Sequence, residues 1–320
     1  MTPSDRRRHR FAVFLSCCVL GLISAGAFVT SKEAGLSVPD WPLSYGSLNP
    51  PRWWEISNVR AEHGHRLIAG TVALLTVGLA VWTGLRERRH WVRRLSYVAV
   101  AAVFAQALLG GLTVLFFLPT PISVSHAGLA ELFFCLIVTL AVVTSRWWER
   151  ERRPTPDWLG VRTAATLTSV LVFSQILVGA VMRHSGAGLA IPDFPLAFGR
   201  LIPPRFDFPI GIHFTHRLGA LVVTVAIVWL FIQVRRTKLS ERLVTVPVTV
   251  LLGLVTLQVG LGAVVVLTGK AVVPNTIHVA TGASILATSV IATLAGWRLV
   301  GRSESTAPSS ARVEWQGAES

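Results

Sequence analysis

Glu62-His63-Gly64-His65-Arg66 opens an apolar run that reaches Leu85, and His213-Phe214-Thr215-His216-Arg217 opens another that reaches Val234. The two clusters lie 151 residues apart. Ionisable side chains at the edge of a membrane span are costly to keep there, so their presence points to function. Two such clusters at matching places point to a duplicated site.

Composition places these runs in a membrane. Of 320 residues, 52% are hydrophobic and 14% charged, whereas a soluble domain carries about 25% charged residues. Mean hydropathy is +0.58. The net charge of +14 invites a nucleic-acid partner, but the basic residues sit in short clusters between apolar runs, as membrane topology requires. Cys17, Cys18 and Cys135 all lie inside apolar runs, where they read as small buried residues with no external disulfide and no CxxC motif.

A span needs about 20 apolar residues. Eight are predicted, at roughly 11–30, 63–85, 96–118, 123–145, 161–182, 212–234, 243–267 and 275–299. Residues 1–10 read as a basic cytoplasmic arm. Phe11–Thr30 reads as a retained first helix, since no small-residue cleavage site ends it. Alternate connections hold 21 Lys and Arg on one side of the membrane against seven on the other. Both termini are therefore expected in the cytoplasm. The tail at 301–320 reads as disordered from its Ser, Ala, Glu and Gly content.

The two long external loops repeat each other. Ala34-Gly35-Leu36-Ser37-Val38-Pro39-Asp40-Trp41-Pro42-Leu43 matches Ala187-Gly188-Leu189-Ala190-Ile191-Pro192-Asp193-Phe194-Pro195-Leu196 at an offset of 153. Gln106 and His126 recur as Gln258 and His278 at an offset of 152. A nearly constant offset signals internal duplication. The expected fold is all-α: two four-helix halves, 11–145 and 161–300, joined by a cytoplasmic linker at 146–160. An even number of helices per unit relates the halves by a pseudo-two-fold axis along the membrane normal. The loops, with their prolines and aromatics, read either as lids over a site or as interfacial anchors.

His65, His126, His216 and His278 each stand at the outer end of an even-numbered span. Two per half at similar depth can face one another, and bundles build cofactor sites in this way. A pair of imidazoles clamping a haem iron fits the spacing. Histidines satisfied by helix ends or water are the bland alternative. Zinc is another, with His213 or Glu62 as a third ligand. Arg66 and Arg217 are candidates for pairing with haem propionates or for snorkelling to head groups. Glu62 lies three residues before His65, on the same helical face, whereas His213 holds that place before His216. A carboxylate beside one site only makes the halves inequivalent. His9 and His90 read as solvated, and no role follows for His63, His184 or Glu131. Whether Gln106 and Gln258 touch the site or only pack is also open.

Glu62-x-x-His65-Arg66, His126, His216-Arg217, His278 and the Gly-Leu-Ser-x-Pro-Asp-Trp-Pro stretch at 35–42 resemble the haem A synthase family, the CtaA/Cox15 proteins. The resemblance covers about 11–300. It implies a membrane oxidoreductase that oxidises a methyl substituent of haem O to the formyl group of haem A, by successive hydroxylations and loss of water, for cytochrome oxidase. It implies haem B held by His216 and His278, haem O held by His65 and His126, and Glu62 as the catalytic carboxylate. Location in the cell membrane, with the haem sites near the outer face, goes with it. A haem O synthase, oxidase assembly factors and an electron acceptor or donor are implied partners beside membrane lipid. The chain departs from many bacterial members in lacking cysteines in its external loops, so a loop disulfide has no counterpart here. Two other classes compete. One is a bis-histidine cytochrome for electron transfer, and the other is a haem transporter, which requires broken helices and mid-membrane polar groups.

Overall fold

The computed structural model describes residues 3–149, 159–237 and 242–299. Among them the secondary structure is helical, apart from the isolated bridges Ser44–Ser47 and Ala197–Arg200. The helices are α1 (Pro3–Ser31), α2 (Ser57–Arg86), α3 (His90–Leu115), α4 (Thr120–Val143), the short α5 (Arg146–Glu149), α6 (Leu159–His184), α7 (Phe208–Arg236), α8 (Arg242–Leu267) and α9 (Val272–Leu299). Eight of these, all but α5, are long and apolar enough to span a membrane. Each span is one uninterrupted helix, unlike the broken helices a transporter reading needs.

The helices overrun the predicted spans by several residues. Apolar counting finds only the part that must lie in hydrocarbon, while the helix continues into the polar layer. The first ten residues are the clearest correction. The first helix is expected from Phe11, yet α1 already starts at Pro3, and within the basic arm Arg8 is buried against Glu87 at 2.8 Å. His9, expected to be solvated, contacts the Ala141 carbonyl through Nδ1 at 2.9 Å. Most of the expected linker, and the tail, lie outside the described residues.

Helix ends follow local chemistry. Asp207 caps α7 by accepting from the Ile210 N–H at 2.8 Å, and Pro209 sits in the first turn, where its missing N–H costs nothing. Phe117 and Leu118 end α3 with positive φ.

In the first half α1 packs on α2 and α4, and α3 on α2 and α4; in the second, α6 packs on α7 and α9, and α8 on α7 and α9. Across the halves α1 meets α9, while α4 meets α6 and α9. Exchanging α1–α4 with α6–α9 in order turns each of these pairings into another of them, except α4 with α9, which maps onto itself. Two apolar cores follow, one around Leu79, Ile137 and Leu140, the other around Ile227, Leu230 and Leu251. α4 and α9 are the most buried spans. Small residues on α9 permit close approach: a Cβ at Gly296 would lie 3.2 Å from the Arg162 Cα.

Candidate functional site

The four histidines singled out by the repeat share one local arrangement. Each imidazole presses against a glycine on the preceding long helix. A Cβ at Gly26 would stand 3.0 Å from His65 Cε1, at Gly110 3.0 Å from His126 Cε1, at Gly179 2.9 Å from His216 Cε1, and at Gly262 3.3 Å from His278 Cε1. These are notches that any side chain would fill. Gly26 and Gly179 are 153 residues apart, Gly110 and Gly262 152.

Three of the imidazoles also meet a glutamine amide. Gln175 Nε2 lies 3.0 Å from His216 Nδ1 and donates to the His216 carbonyl at 2.7 Å. Gln106 Nε2 donates to the His126 carbonyl at 2.9 Å and lies 3.5 Å from its ring. Gln258 Nε2 lies 3.3 Å from His278 Nε2. Gln106 and Gln258 therefore touch the site residues rather than only packing.

The donor set fits an iron macrocycle. The His216 and His278 ring centres are 6.5 Å apart. Two metal–nitrogen bonds of about 2 Å each, with about 1.1 Å from nitrogen to ring centre on either side, span roughly 6 Å. Nδ1 of His65, His126 and His278 is buried without a hydrogen-bond partner, a cost that an added group would relieve. Zinc fits less well, because no cluster of three or more His, Cys, Asp or Glu suited to a metal occurs among the described residues.

Glu62 and Arg66 tie the loop between α1 and α2 down over this end of the bundle. Glu62 Oε1 accepts from Arg66 at 2.7 Å, and Oε2 accepts from the Val38 N–H at 2.9 Å. Arg66 also donates to the carbonyls of Asp40, Leu43 and Val38 at 2.7, 2.8 and 3.1 Å. The second loop is held in the same way. Arg217 donates to the carbonyls of Leu196, Asp193 and Ile191 at 2.8, 2.7 and 3.2 Å, and His213 Nδ1 accepts from the Ile191 N–H at 3.3 Å. The expectation of propionate contacts thus meets two guanidiniums whose Nη atoms already serve loop carbonyls. His213 takes the loop-anchoring task of Glu62 without the carboxylate.

Within each loop an aspartate folds the turn. Asp40 accepts from Tyr45 and Gly46 N–H at 2.7 and 2.8 Å, and Asp193 from Phe198 and Gly199, both at 2.8 Å. The two central residues of each turn have positive φ, the signature of a two-residue hairpin turn of type I′. The Gly46 N–H bond is the main reason that the Asp40 carboxyl lies below its usual range, with the Tyr45 bond and Arg66 adding to it. Trp41 lies against Gly111 of α3 so closely that a Cβ there would collide with its ring. The corresponding position in α8 is Ala263.

A family model described as cytochrome oxidase assembly protein, COX15-CtaA, matches residues 54–290. The chain belongs to this family. A protein of Symbiobacterium thermophilum named heme A synthase is 34% identical over 227 residues, 68% of this chain and 71% of that one. A heme A synthase of Shouchella clausii is 30% identical over 273 residues, 82% and 87% of the two chains. One of Lysinibacillus sphaericus is 30% identical over 268 residues, 81% and 85%.

The COX15-CtaA chain also uses residues for which the sequence suggested no role. His63 is buried, with Nδ1 2.9 Å from Ser44 Oγ and its ring edge-on to Trp53, so it is a further loop anchor. Arg183 donates to the Ala27 carbonyl and Ser31 Oγ, both at 2.9 Å, tying α6 to the end of α1. Beside it, the His184 carbonyl accepts from Thr120 at 3.1 Å, joining α6 to α4. Glu131, about one and a half turns from His126, is buried with Oε2 unpartnered.

Proposed function

We propose that this chain is a haem A synthase, a multi-pass membrane oxidoreductase that converts haem O to haem A by oxidising a methyl substituent to a formyl group. The observation that carries the reading is the set of four imidazoles, two per half, each seated in a glycine notch at the same end of the bundle. The family membership and the names of the relatives support it.

In this reading the halves are related by a pseudo-two-fold axis, both termini are cytoplasmic, and the sites lie near the outer face. His216 and His278 hold haem B, and His65 and His126 hold the substrate haem. Bound haem B supplies the redox chemistry. The chain supplies position, charge and exclusion of water. The glycine notches and glutamine amides orient the imidazoles. The loops, clasped by Arg66 and Arg217, cover the outer end. Glu62 is the acid/base group of the substrate half: its two oxygens are aimed by Arg66 and by the Val38 amide, beside His65. The cofactor half has His213 in its place and no such carboxylate.

Glu62→Ala is the test, with Glu62→Gln beside it to spare the loop anchor. Both should fold and keep haem in the C-terminal half. Haem A formation from haem O should fall by about 10²- to 10⁴-fold, the usual range for a lost acid/base group, measured by chromatography of extracted haems. Wild-type haem A in either variant would remove Glu62 from the chemistry. His216→Ala and His278→Ala should each lose the tightly held haem B; an unchanged haemochrome spectrum would refute that assignment.

A further inference from the structure

The glutamine amides break the symmetry of the site. His126, His216 and His278 each have one. Gln175 lies four residues before Gly179, the notch of His216, and its carboxamide presses on Gly219 so closely that a Cβ there would collide with Oε1. In the first half the position four residues before the notch Gly26 is Leu22, and the counterpart of Gly219, three residues after the histidine, is Ile68. Both members of the Gln–Gly pair are thus replaced by branched aliphatics. Nδ1 of His65 is buried without a partner, as it is in His126 and His278, but His65 alone of the four has no glutamine amide beside it.

We infer that His65 is the exchangeable one of the four axial ligands, and Gln175 a positioning residue that keeps its counterpart His216 from exchanging. The inference rests on the haem-ligand reading above. Gln175 donates to the His216 main-chain carbonyl at 2.7 Å with its amide beside the ring, which holds residue and ring in place, and neighbours that orient a ligating imidazole typically change metal affinity about 10- to 100-fold. His126 and Gln106 then keep hold of the substrate haem while His65 lets go. A site that must take in one haem and release another needs one weak bond, whereas a resident cofactor needs none. With a haem bound, His65 would leave as the neutral imidazole and a small neutral ligand would take its place, with no change in oxidation state.

Carbon monoxide is the probe, since it binds ferrous haem only where an axial ligand leaves. The full-length protein, loaded with haemin until both halves are filled and then reduced, should bind carbon monoxide rapidly at one of its two haems. Gln175→Leu should open the second haem, with its binding rate rising at least about tenfold. Leu22→Gln combined with Ile68→Gly should slow the first by a similar factor. Haem content and the bis-imidazole spectrum before addition of the gas report folding and ligation independently. Full haem content with identical carbon monoxide kinetics in all three proteins would overturn the inference and leave the ligand reading standing. Failure to take up haem, or uptake unaltered in His65→Ala and His216→Ala, would overturn both.

Discussion

Gly179 has no room for one more carbon: a Cβ there would lie 2.9 Å from His216 Cε1, inside any comfortable contact. Gly179→Ala should therefore push the imidazole off its axis and lower haem retention in the second half, at a packing cost of about 1–3 kcal/mol. Gly78→Ala on α2, where nothing lies within 4 Å, should leave haem content unchanged and favour the helix slightly. Haem per protein after gel filtration compares the two, and equal retention would contradict the notch. The histidines could be read from the sequence because charge at a span edge is rare. The glycines were not, because glycine is frequent in membrane helices; the recurrence of Gly26 as Gly179, and of Gly110 as Gly262, is a signal that could have found them. Gln175 escaped for a related reason. Its repeat partner is Leu22, so a search for what the halves share passes over it.

At the scale of elements, the two long loops, between α1 and α2 and between α6 and α7, are clasps rather than loose connections. One arginine at the helix mouth gathers three loop carbonyls in each half. A lysine carries the charge but not the fork of donors. Arg66→Lys should accelerate amide exchange across Val38–Ser47 by about tenfold or more, given the strength of hydrogen bonds to charged groups, and leave Ile191–Arg200 protected. Equal exchange in both loops would show that Arg66 does not hold the first one. The loop repeat, and the pairing of Glu62 with His213, could be read from sequence. What the arginines do could not, because their partners are backbone carbonyls 21 to 28 residues away, which have no signature in residue type. Helix ends were missed for a different reason, since hydropathy marks the hydrocarbon layer and not the hydrogen-bond ladder.

Across the whole molecule, charge concentrates at the end opposite the histidines. There Glu87, between α2 and α3, binds Arg8 of α1 and Arg89, and Arg89 reaches the Val143 carbonyl of α4 at 3.0 Å. Burial alone would raise the Glu87 carboxyl, but the side-chain and backbone bonds from Arg89, with the charges of Arg89 and Arg8, bring it down from 4.5 to about 2. A depressed carboxyl stabilises the fold above its ordinary value and loses that contribution as pH falls towards the folded one. Wild type should therefore melt above Glu87→Gln at neutral pH in detergent, with the gap closing between about pH 4.5 and 2. A gap independent of pH would mean that the cluster acts through packing alone. The eight long apolar helices could be read from hydropathy. The contacts of α1–α4 with α6–α9, α1 on α9 and α4 on α6 and α9, could not, because a repeat specifies what is alike within each half and is silent on how unlike faces meet.

Each histidine finds its glycine on the helix made just before it: His65 on α1, His126 on α3, His216 on α6 and His278 on α8. Imidazole and seat therefore leave the ribosome together, as one antiparallel hairpin. An imidazole can be oriented as soon as its own hairpin has entered the bilayer, before the opposing hairpin exists. The late, long-range step of biogenesis is then the meeting of two finished jaws rather than the building of a pocket, and the chain makes its N-terminal pair of jaws first.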